Sequence, residues 1–129
     1  MVLSNAYNYI NVMGKAADAS WTRNSILTNN IANVDTPNFK RQDVQFESYL
    51  IDAVSGTDNL DRTVSELELD QLNATTYTDQ ANLSYRLDGN NVDIDTENVE
   101  LAKNQLKYYT LMDSMSQEFS RLKTALRTT

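Results

Sequence analysis

The stretch from Asp88 to Glu97 holds the densest set of side chains that could do chemistry. Carboxylate and amide oxygens recur there in the order Asp88, Asn90, Asp93, Asp95 and Glu97. Oxygen ligands of this kind suit Ca²⁺. The run does not fit the EF-hand template, because Gly89 stands at the second place and no bidentate glutamate stands at the expected end. We therefore predict no metal site here.

The chain contains no histidine and no cysteine. This removes the commonest general base, the commonest metal ligand, the thiolate nucleophile and any disulfide. Carboxylates alone remain as catalytic groups, and a hydrolase built on two of them needs both in one pocket. We predict that the protein is not an enzyme and needs no cofactor, and we keep the carboxylate-only hydrolase as a competing hypothesis.

The charge of the chain is unevenly distributed. The net charge is −7, but residues 43–100 contain fourteen acidic and two basic side chains, whereas the two ends together carry nine basic and four acidic ones. An acidic protein without a basic face is a poor ligand for nucleic acid, so we predict none as a partner. The middle is either a solvated acidic surface or a surface that meets the basic ends of other copies.

The N-terminal segment has the repeat of a coiled-coil seam from about residue 4 to 34. Steps of four and three alternate through Ala6, Ile10, Met13, Ala17, Ser20, Asn24, Leu27, Ile31 and Val34. This spacing predicts a long helix with one packing stripe. The stripe is apolar at both ends and small or polar in the middle, so it permits close approach to another helix.

The C-terminal segment predicts a second long helix that begins near Asp95 or Thr96. One row repeats every seven residues through Leu101, Tyr108, Met115 and Leu122, and a second row contains Met112, Phe119 and Leu126. Ala102, Leu106 and Tyr109 form a further apolar strip, which a single partner helix would not require. Isolated helices are marginal in water, so we expect neighbouring copies to complete the stability of the pair.

The middle of the chain predicts a polar, acidic and flexible insert at residues 55–91. Its apolar content is low and its charge has one sign, which is typical of weakly structured segments. At its end, Asp88-Gly89 between the alternating runs Tyr85, Leu87 and Val92, Ile94 predicts a hairpin. Residues 1–54 and 92–129 together form the predicted helical core. The predicted fold is therefore mainly α, with an antiparallel coiled-coil-like helix pair and a partly β or flexible middle.

Pro37 is the only proline, and it predicts the end of the first helix. The short polar side chains of Asn33, Asp35 and Thr36 can bond to the backbone freed there. Asparagine tolerates a left-handed backbone, so Asn38 after the proline is compatible with a tight turn. We predict a sharp change of direction between Asp35 and Phe39.

The motif Asn30-x-Ala-Asn33-x-Asp35-Thr36-Pro37, followed by an aromatic and a basic residue, resembles the signature of bacterial flagellar basal-body rod proteins, and its Asp-Thr-Pro form is most similar to the proximal-rod members. A second block, Asp88-Gly-Asn-Asn-Val-Asp and Ala102-Lys-Asn-Gln-Leu-Lys-Tyr, also resembles that family. The resemblance implies a structural subunit that polymerises through its terminal helices into a rod across the periplasm. It implies partners among other copies, other rod and basal-body subunits, and the flagellar export apparatus.

Carried onto this chain, the resemblance assigns the turn to Asn30, Asn33, Asp35, Thr36 and Pro37. It assigns the assembly seam to Ile10, Met13, Leu27, Ile31, Val34, Leu101, Tyr108, Met112, Met115, Phe119, Leu122 and Leu126. A soluble helical chaperone or adaptor of a type III export system is the alternative function.

No stretch approaches the roughly 18 consecutive apolar residues of a membrane span. Residues 1–13 lack the basic start and unbroken apolar run of a cleaved secretory signal. By these patterns we expect a chain that looks cytosolic. A location in the rod then implies export without a cleaved signal peptide.

Overall fold

Two long antiparallel helices form the body of the protein. The structure, a computed structural model, describes residues 2–127; Met1 and residues 128–129 of the predicted core lie outside that range. The elements are α1 (Val2–Ala32), β1 (Gln42–Gln45), α2 (Glu47–Val54), α3 (Leu60–Glu66), β2 (Thr75–Thr78) and α4 (Ile94–Arg127). The end of α1 meets the start of α4, since Asn30 bonds to Glu97. The prediction of a mainly helical fold with a packed terminal pair is confirmed.

The predicted stripe on α1 is the face that packs within the chain. Ile10, Ala17, Ser20 and Leu27 are buried, and the other members of the stripe are at least partly covered. On α4, Leu122 is buried and Leu101, Tyr108 and Met115 are partly covered. The small side chains at the middle of α1 allow the amide of Asn104 to reach the Ser20 carbonyl at 2.7 Å. The helix that covers the α1 stripe is therefore α4 of the same chain.

The second apolar row of α4 lies outside this interface. Met112, Phe119 and Leu126, which we call the outer row, are exposed. Leu106 and Tyr109 are 70% and 69% exposed, and with the exposed Val99 they form a set that we call the ridge. Leu106 follows Asn104 by two residues, which places it on the opposite side of the helix from α1. One helix thus carries both a covered and an uncovered apolar surface.

The hairpin predicted around Asp88-Gly89 is wrong in its location. The sheet of the described residues consists of β1 and β2, paired antiparallel with Asp43 opposite Tyr77. A turn does form at Gly89, whose φ is 77°. Strands do not flank it, because the side-chain amide of Asn90 and the backbone amide of Asn91 donate to carbonyls of residues 33–39, after α1.

The predicted insert packs against α1. Leu72 joins Ala19 and Phe46 in a small core cluster, and Val64 of α3 is also buried. Tyr9 donates to Asp61 at 2.5 Å, and Lys15 to Asn73 at 3.0 Å. Because β1 pairs with β2 and α2 contacts α3, residues 42–54 lie with the insert. The mobility of residues 55–91 stays a prediction.

Candidate functional site

The turn after α1 is built by short polar side chains around Pro37. The helix ends at Ala32, and the amide of Thr36 donates to the Asn33 carbonyl at 3.1 Å. The Thr36 hydroxyl lies 3.1 Å from the Asn33 side-chain oxygen. Asn38 adopts a φ of 60°, the left-handed conformation expected for it. The structure thus has a turn at residues 33–38, and the predicted change of direction lies between Asp35 and Phe39.

Asn90 closes this turn from a distant part of the chain. Its side-chain amide donates to the carbonyls of Asn33, Val34 and Thr36 at 2.9, 3.1 and 2.8 Å. A helix end leaves such carbonyls without partners unless another group supplies a donor. Arg86 adds a second donor to the Val34 carbonyl at 2.8 Å. The Asp88-Gly-Asn-Asn block is therefore the cap of α1.

Asn30 joins α1 to both β1 and α4. It is 0% exposed, its amide donates to the Gln42 carbonyl at 2.8 Å and to Glu97 at 3.0 Å, and its oxygen accepts from the Gln42 amide at 3.0 Å. An unpaired amide at such a position would cost about 1 to 3 kcal/mol. Asn30 holds the strand in one register relative to the helix.

Asn91 holds the returning chain on its other side. It accepts from the Arg41 amide at 2.6 Å and donates to the carbonyls of Asp79 and Ala81 at 2.8 and 2.9 Å. The contact is close at Gly89, where a Cβ atom would lie 2.5 Å from the Asn38 side-chain oxygen. The two motif blocks therefore fit together without room for a side chain at Gly89.

Two arginines neutralise the acidic groups in the region where α1, β1 and α4 meet, which we call the junction. Arg41 binds Glu97 and also lies 3.0 Å from Asp43. Arg23 bonds to Asp43 at 2.7 and 3.1 Å and to Glu100 at 3.1 Å. Burial alone would raise the pKa of Asp43, but hydrogen bonds from Arg23, the Val44 amide and Arg41 outweigh it and lower that pKa. The junction is thus a paired network in which α1, β1 and α4 share charges.

A groove of about 850 Å³ borders this network between α1, β1 and α4. Asp43, Glu47 and Glu100 line it together with Arg23. The pKa of Glu100 is lowered, chiefly by Lys103, and that of Asp43 is lowered as well. The general-acid carboxyl of a glycoside hydrolase has a raised pKa, which is opposite to the direction at Asp43 and Glu100.

The oxygen-rich run at 88–97 is divided among separate tasks. Asp88 pairs with Arg86 at 2.8 Å, Asn90 caps α1, and Asp93 accepts from the amides of Asp95 and Thr96 at the start of α4. Asp93 therefore caps α4, which begins at Ile94, close to the start predicted at Asp95 or Thr96. Over residues 2–127, no three metal-binding acidic side chains are placed to hold one ion.

The predicted site residues fall into three groups. Asn30, Asn33, Asp35, Thr36 and Pro37 lie in or beside the turn, and the exposed Asp35 interacts electrostatically with Arg86. Most of the predicted seam lies inside the pair: Ile10, Met13, Leu27, Ile31, Val34, Leu101, Tyr108, Met115 and Leu122 are buried or partly buried. Met112, Phe119 and Leu126 are exposed. Of the predicted seam, these three are the most open to another molecule.

Sequence reasoning missed the residues that hold the junction together. Asn90, Asn91, Glu97 and Asn104 are buried polar groups whose partners lie up to 84 residues away. The available signal was the repeated asparagine in two blocks that both resemble one family. Pairing them requires the fold, because the sequence alone does not say which carbonyls are free.

Comparisons with known proteins agree on one family. A family model described as Flagella basal body rod protein matches residues 10–40. The flagellar basal body rod protein FlgB of Bacillus subtilis (strain 168) is 35% identical over 105 residues, which cover 81% of each chain. FlgB of Borreliella burgdorferi is 33% identical over 117 residues, covering 81% of this chain and 85% of the relative.

FlgB of Cereibacter sphaeroides is 36% identical over 112 residues, which cover 82% of this chain and 84% of the relative. These matches cover 81–82% of this chain and are therefore much longer than the turn motif. The chain belongs to the flagellar basal body rod protein family.

Proposed function

We propose that this chain is a structural subunit of the flagellar basal-body rod, in its proximal part, and that it acts by polymerising and catalyses no reaction. The observation that carries the proposal is the uncovered apolar surface of α4, beside a junction whose polar groups are paired. Its partners are other copies and other rod or basal-body subunits. The family supports the location in the basal body, and family membership does not favour the adaptor alternative.

The apolar surface of α4 is large for a chain of this size. The ridge and the outer row together present six large apolar side chains to solvent: Val99, Leu106, Tyr109, Met112, Phe119 and Leu126. Large apolar surfaces that a single chain leaves uncovered often mark contact sites for other molecules. Burying one such side chain contributes about 1.5 to 3 kcal/mol. Contacts between copies can thus supply the stability that the two-helix pair lacks by itself.

In our proposal, fewer residues of the seam contact other copies than the sequence pattern predicts. Seam positions covered by the partner helix in the same chain, such as Leu27 and Ile31, set the shape of the pair. The outer row and the ridge make the contacts between copies. The turn motif sets the direction in which the insert leaves the helical pair, so that copies can stand side by side.

The route to the rod is part of the same proposal. We infer export through the flagellar type III apparatus without a cleaved signal peptide. Over the described residues, the longest helices are too polar to cross a bilayer. The chain would then cross the inner membrane during export and join the rod in the periplasm.

Phe119→Asp together with Met112→Asp tests the function. The double variant should fold like the wild type, because both side chains are exposed, but it should not restore swimming to cells that lack the wild-type protein. Ser65→Asp is the control, since Ser65 is exposed in α3 and lies outside both apolar surfaces of α4. Normal swimming with the double variant, at normal cellular levels, would contradict the proposal.

Replacing Leu27 and Ile31 by Asp is a less informative test. Leu27 is fully buried within the chain, so a charge there tests folding before it tests assembly. Amide exchange separates the remaining alternative. A soluble adaptor should protect both terminal helices in dilute solution, whereas a rod subunit should protect the ends of the helices only after assembly.

A further inference from the structure

Gly14 lies inside a long helix, and no contact within the described chain requires a glycine there. It lies in the middle of α1, where glycine is less favourable than alanine by about 0.5 to 1 kcal/mol. A Cβ atom built there meets no described atom within 4 Å outside the neighbouring turns of the helix. Neither close packing nor a turn within residues 2–127 explains the missing side chain.

Two exposed aromatic residues flank Gly14 at heptad spacing. Tyr7 and Trp21, seven residues before and after it, are 54% and 62% exposed. Seven residues are close to two full turns, so the three positions share one side of α1. The missing side chain of Gly14 leaves a gap between the two aromatic side chains, which we call the Gly14 notch. Ile10 and Ala17 beside it are buried against the rest of the chain.

The notch continues onto α4. The rings of Trp21 and Tyr108 lie 5.7 Å apart, and Met112 follows Tyr108 by four residues on the same side of α4. The Gly14 notch and the outer row are therefore parts of one flank of the helix pair. The ridge faces away from α1 and belongs to a different side.

We propose that the Gly14 notch receives the ridge of a second copy of this chain. This inference rests on the proposed function and names the two surfaces that meet. A contact between two different surfaces repeats from copy to copy and builds a filament, whereas one surface pairing with itself closes as a dimer. The missing side chain at Gly14 lets the backbone of the second helix come close, with Leu106 of the ridge as the central contact.

The charges bordering the two surfaces are complementary. Asp18, four residues after Gly14, is exposed beside the notch. Lys103, four residues after Val99, lies beside the ridge, where its side chain is 67% exposed and its Nζ lies 3.1 Å from Glu100 Oε1. When the ridge lies in the notch, this acidic and this basic group come to the same border. Pairing of opposite charges at the rim favours one register of the two copies.

Cysteine cross-linking tests the contact, because the native chain has no cysteine. One population of copies carries Gly14→Cys and a second carries Leu106→Cys, and both are expressed in cells that assemble rods. After mild oxidation, we expect a disulfide-linked pair of copies at least about tenfold more abundant than with Thr124→Cys replacing Leu106→Cys. A pair formed by Gly14→Cys copies alone would overturn the proposal, since it would mean that the notch meets itself.

A second pair of substitutions uses folding and assembly together. Gly14→Ala should unfold at the same or higher urea concentration than the wild type, because alanine favours helix and the space is open. Gly14→Leu should also fold normally, yet reduce swimming at least about tenfold by filling the notch. Thr28→Leu, at an exposed position of α1 fourteen residues (about 21 Å) from Gly14, is the control and should swim normally.

The outcomes separate this inference from the function on which it rests. If Gly14→Leu swims normally while the Met112 and Phe119 double variant does not, the chain is a rod subunit and the notch proposal is wrong. If neither variant affects swimming, both proposals are wrong.

Discussion

The junction at one end of the helix pair and the apolar surface of α4 follow opposite rules. In the junction, buried polar groups meet defined partners: Asn30 makes three hydrogen bonds with Gln42 and Glu97, and Asn90 caps three carbonyls of the turn. On the apolar surface, Leu106 and Tyr109 remain exposed. The junction specifies one geometry because a misplaced hydrogen bond is costly, whereas apolar contact is non-directional and adapts to a neighbour.

The difference separates the two requirements of an assembling subunit. Each copy needs a fixed shape, and the directional bonds of the junction supply it within the chain. Each copy also needs surfaces that stay available until another copy arrives, and the outer row and ridge supply those. Substitutions in the junction should therefore reduce the stability of the isolated chain, and substitutions on the apolar surface should spare it.

The largest effect is expected at Asn90. Asn90→Ala removes the donor to the carbonyls of Asn33, Val34 and Thr36, of which Val34 keeps Arg86, and also the acceptor of the Val92 amide. We expect it to lower the free energy of unfolding by about 4 kcal/mol. Urea denaturation followed by circular dichroism measures this. Asn98→Ala, at an exposed position of α4, is the control and should stay within about 0.5 kcal/mol. Equal effects of the two would mean that the cap contributes nothing.

A smaller, pH-dependent loss is expected at Asp43. Because its pKa is lowered in the folded chain, the carboxylate stabilises the fold fully above its ordinary pKa of about 4. That contribution is lost as the pH falls below 4 and through the lowered pKa. Asp43→Asn should cost about 3 kcal/mol at neutral pH and flatten the acid side of the stability curve. Urea midpoints between pH 2 and 7 check this.

Asp52→Asn serves as the control for that pH series. Asp52 is exposed in α2, so its replacement should leave the acid side of the curve as steep as in the wild type. A curve for Asp43→Asn that falls as steeply in acid as the wild-type curve would contradict the role of Asp43.

A cost of about 1 kcal/mol is expected at Asn38, which holds a φ of 60°. Asn38→Ala should lose about that much, because alanine is disfavoured in the left-handed region. Asn38→Gly should stay close to the wild type in the same urea experiment, since glycine adopts this backbone freely. If Asn38→Ala and Asn38→Gly lower the free energy of unfolding equally, left-handed backbone strain does not explain the loss.

The smallest change in stability is expected at Leu106, on the other side of the comparison. Leu106→Ser should shift the free energy of unfolding by no more than about 0.5 kcal/mol, because the side chain is 70% exposed. The same variant should associate more weakly with itself in sedimentation velocity at high concentration. A clear loss of stability would mean that the ridge belongs to the core of the single chain.

The helices could be predicted from the sequence because their signals are local and periodic. Nine positions from Ala6 to Val34 keep the seam spacing, and Pro37 ends it, so both the length of α1 and its turn follow. The left-handed Asn38 also follows from its residue type. On α4, however, two apolar rows compete, and spacing alone does not say which one faces α1.

The middle of the chain was harder to predict because its contacts are long-range. All four residues of β2, Thr75–Thr78, are exposed, so no apolar alternation marks the strand. The strong turn signal of Asp88-Gly89 suggested a hairpin, yet Asn90 and Asn91 bond to backbone of the α1 turn and the insert. The carbonyls that Asn90 binds lie more than fifty residues earlier in the chain, so no local pattern points to them.

The cap of α1 also imposes an order on folding. Asn90 lies 54 to 57 residues after the carbonyls that it binds, and Glu97 lies 67 residues after Asn30. During synthesis from the N-terminus, the residues of the first helix are complete long before Asn90 and Glu97, which bind its end, have been added. Closing such a loop is slow compared with forming a helix. A fragment that ends anywhere within 55–89 would keep Pro37, which stops the first helix, but would lose Asn90, which caps it.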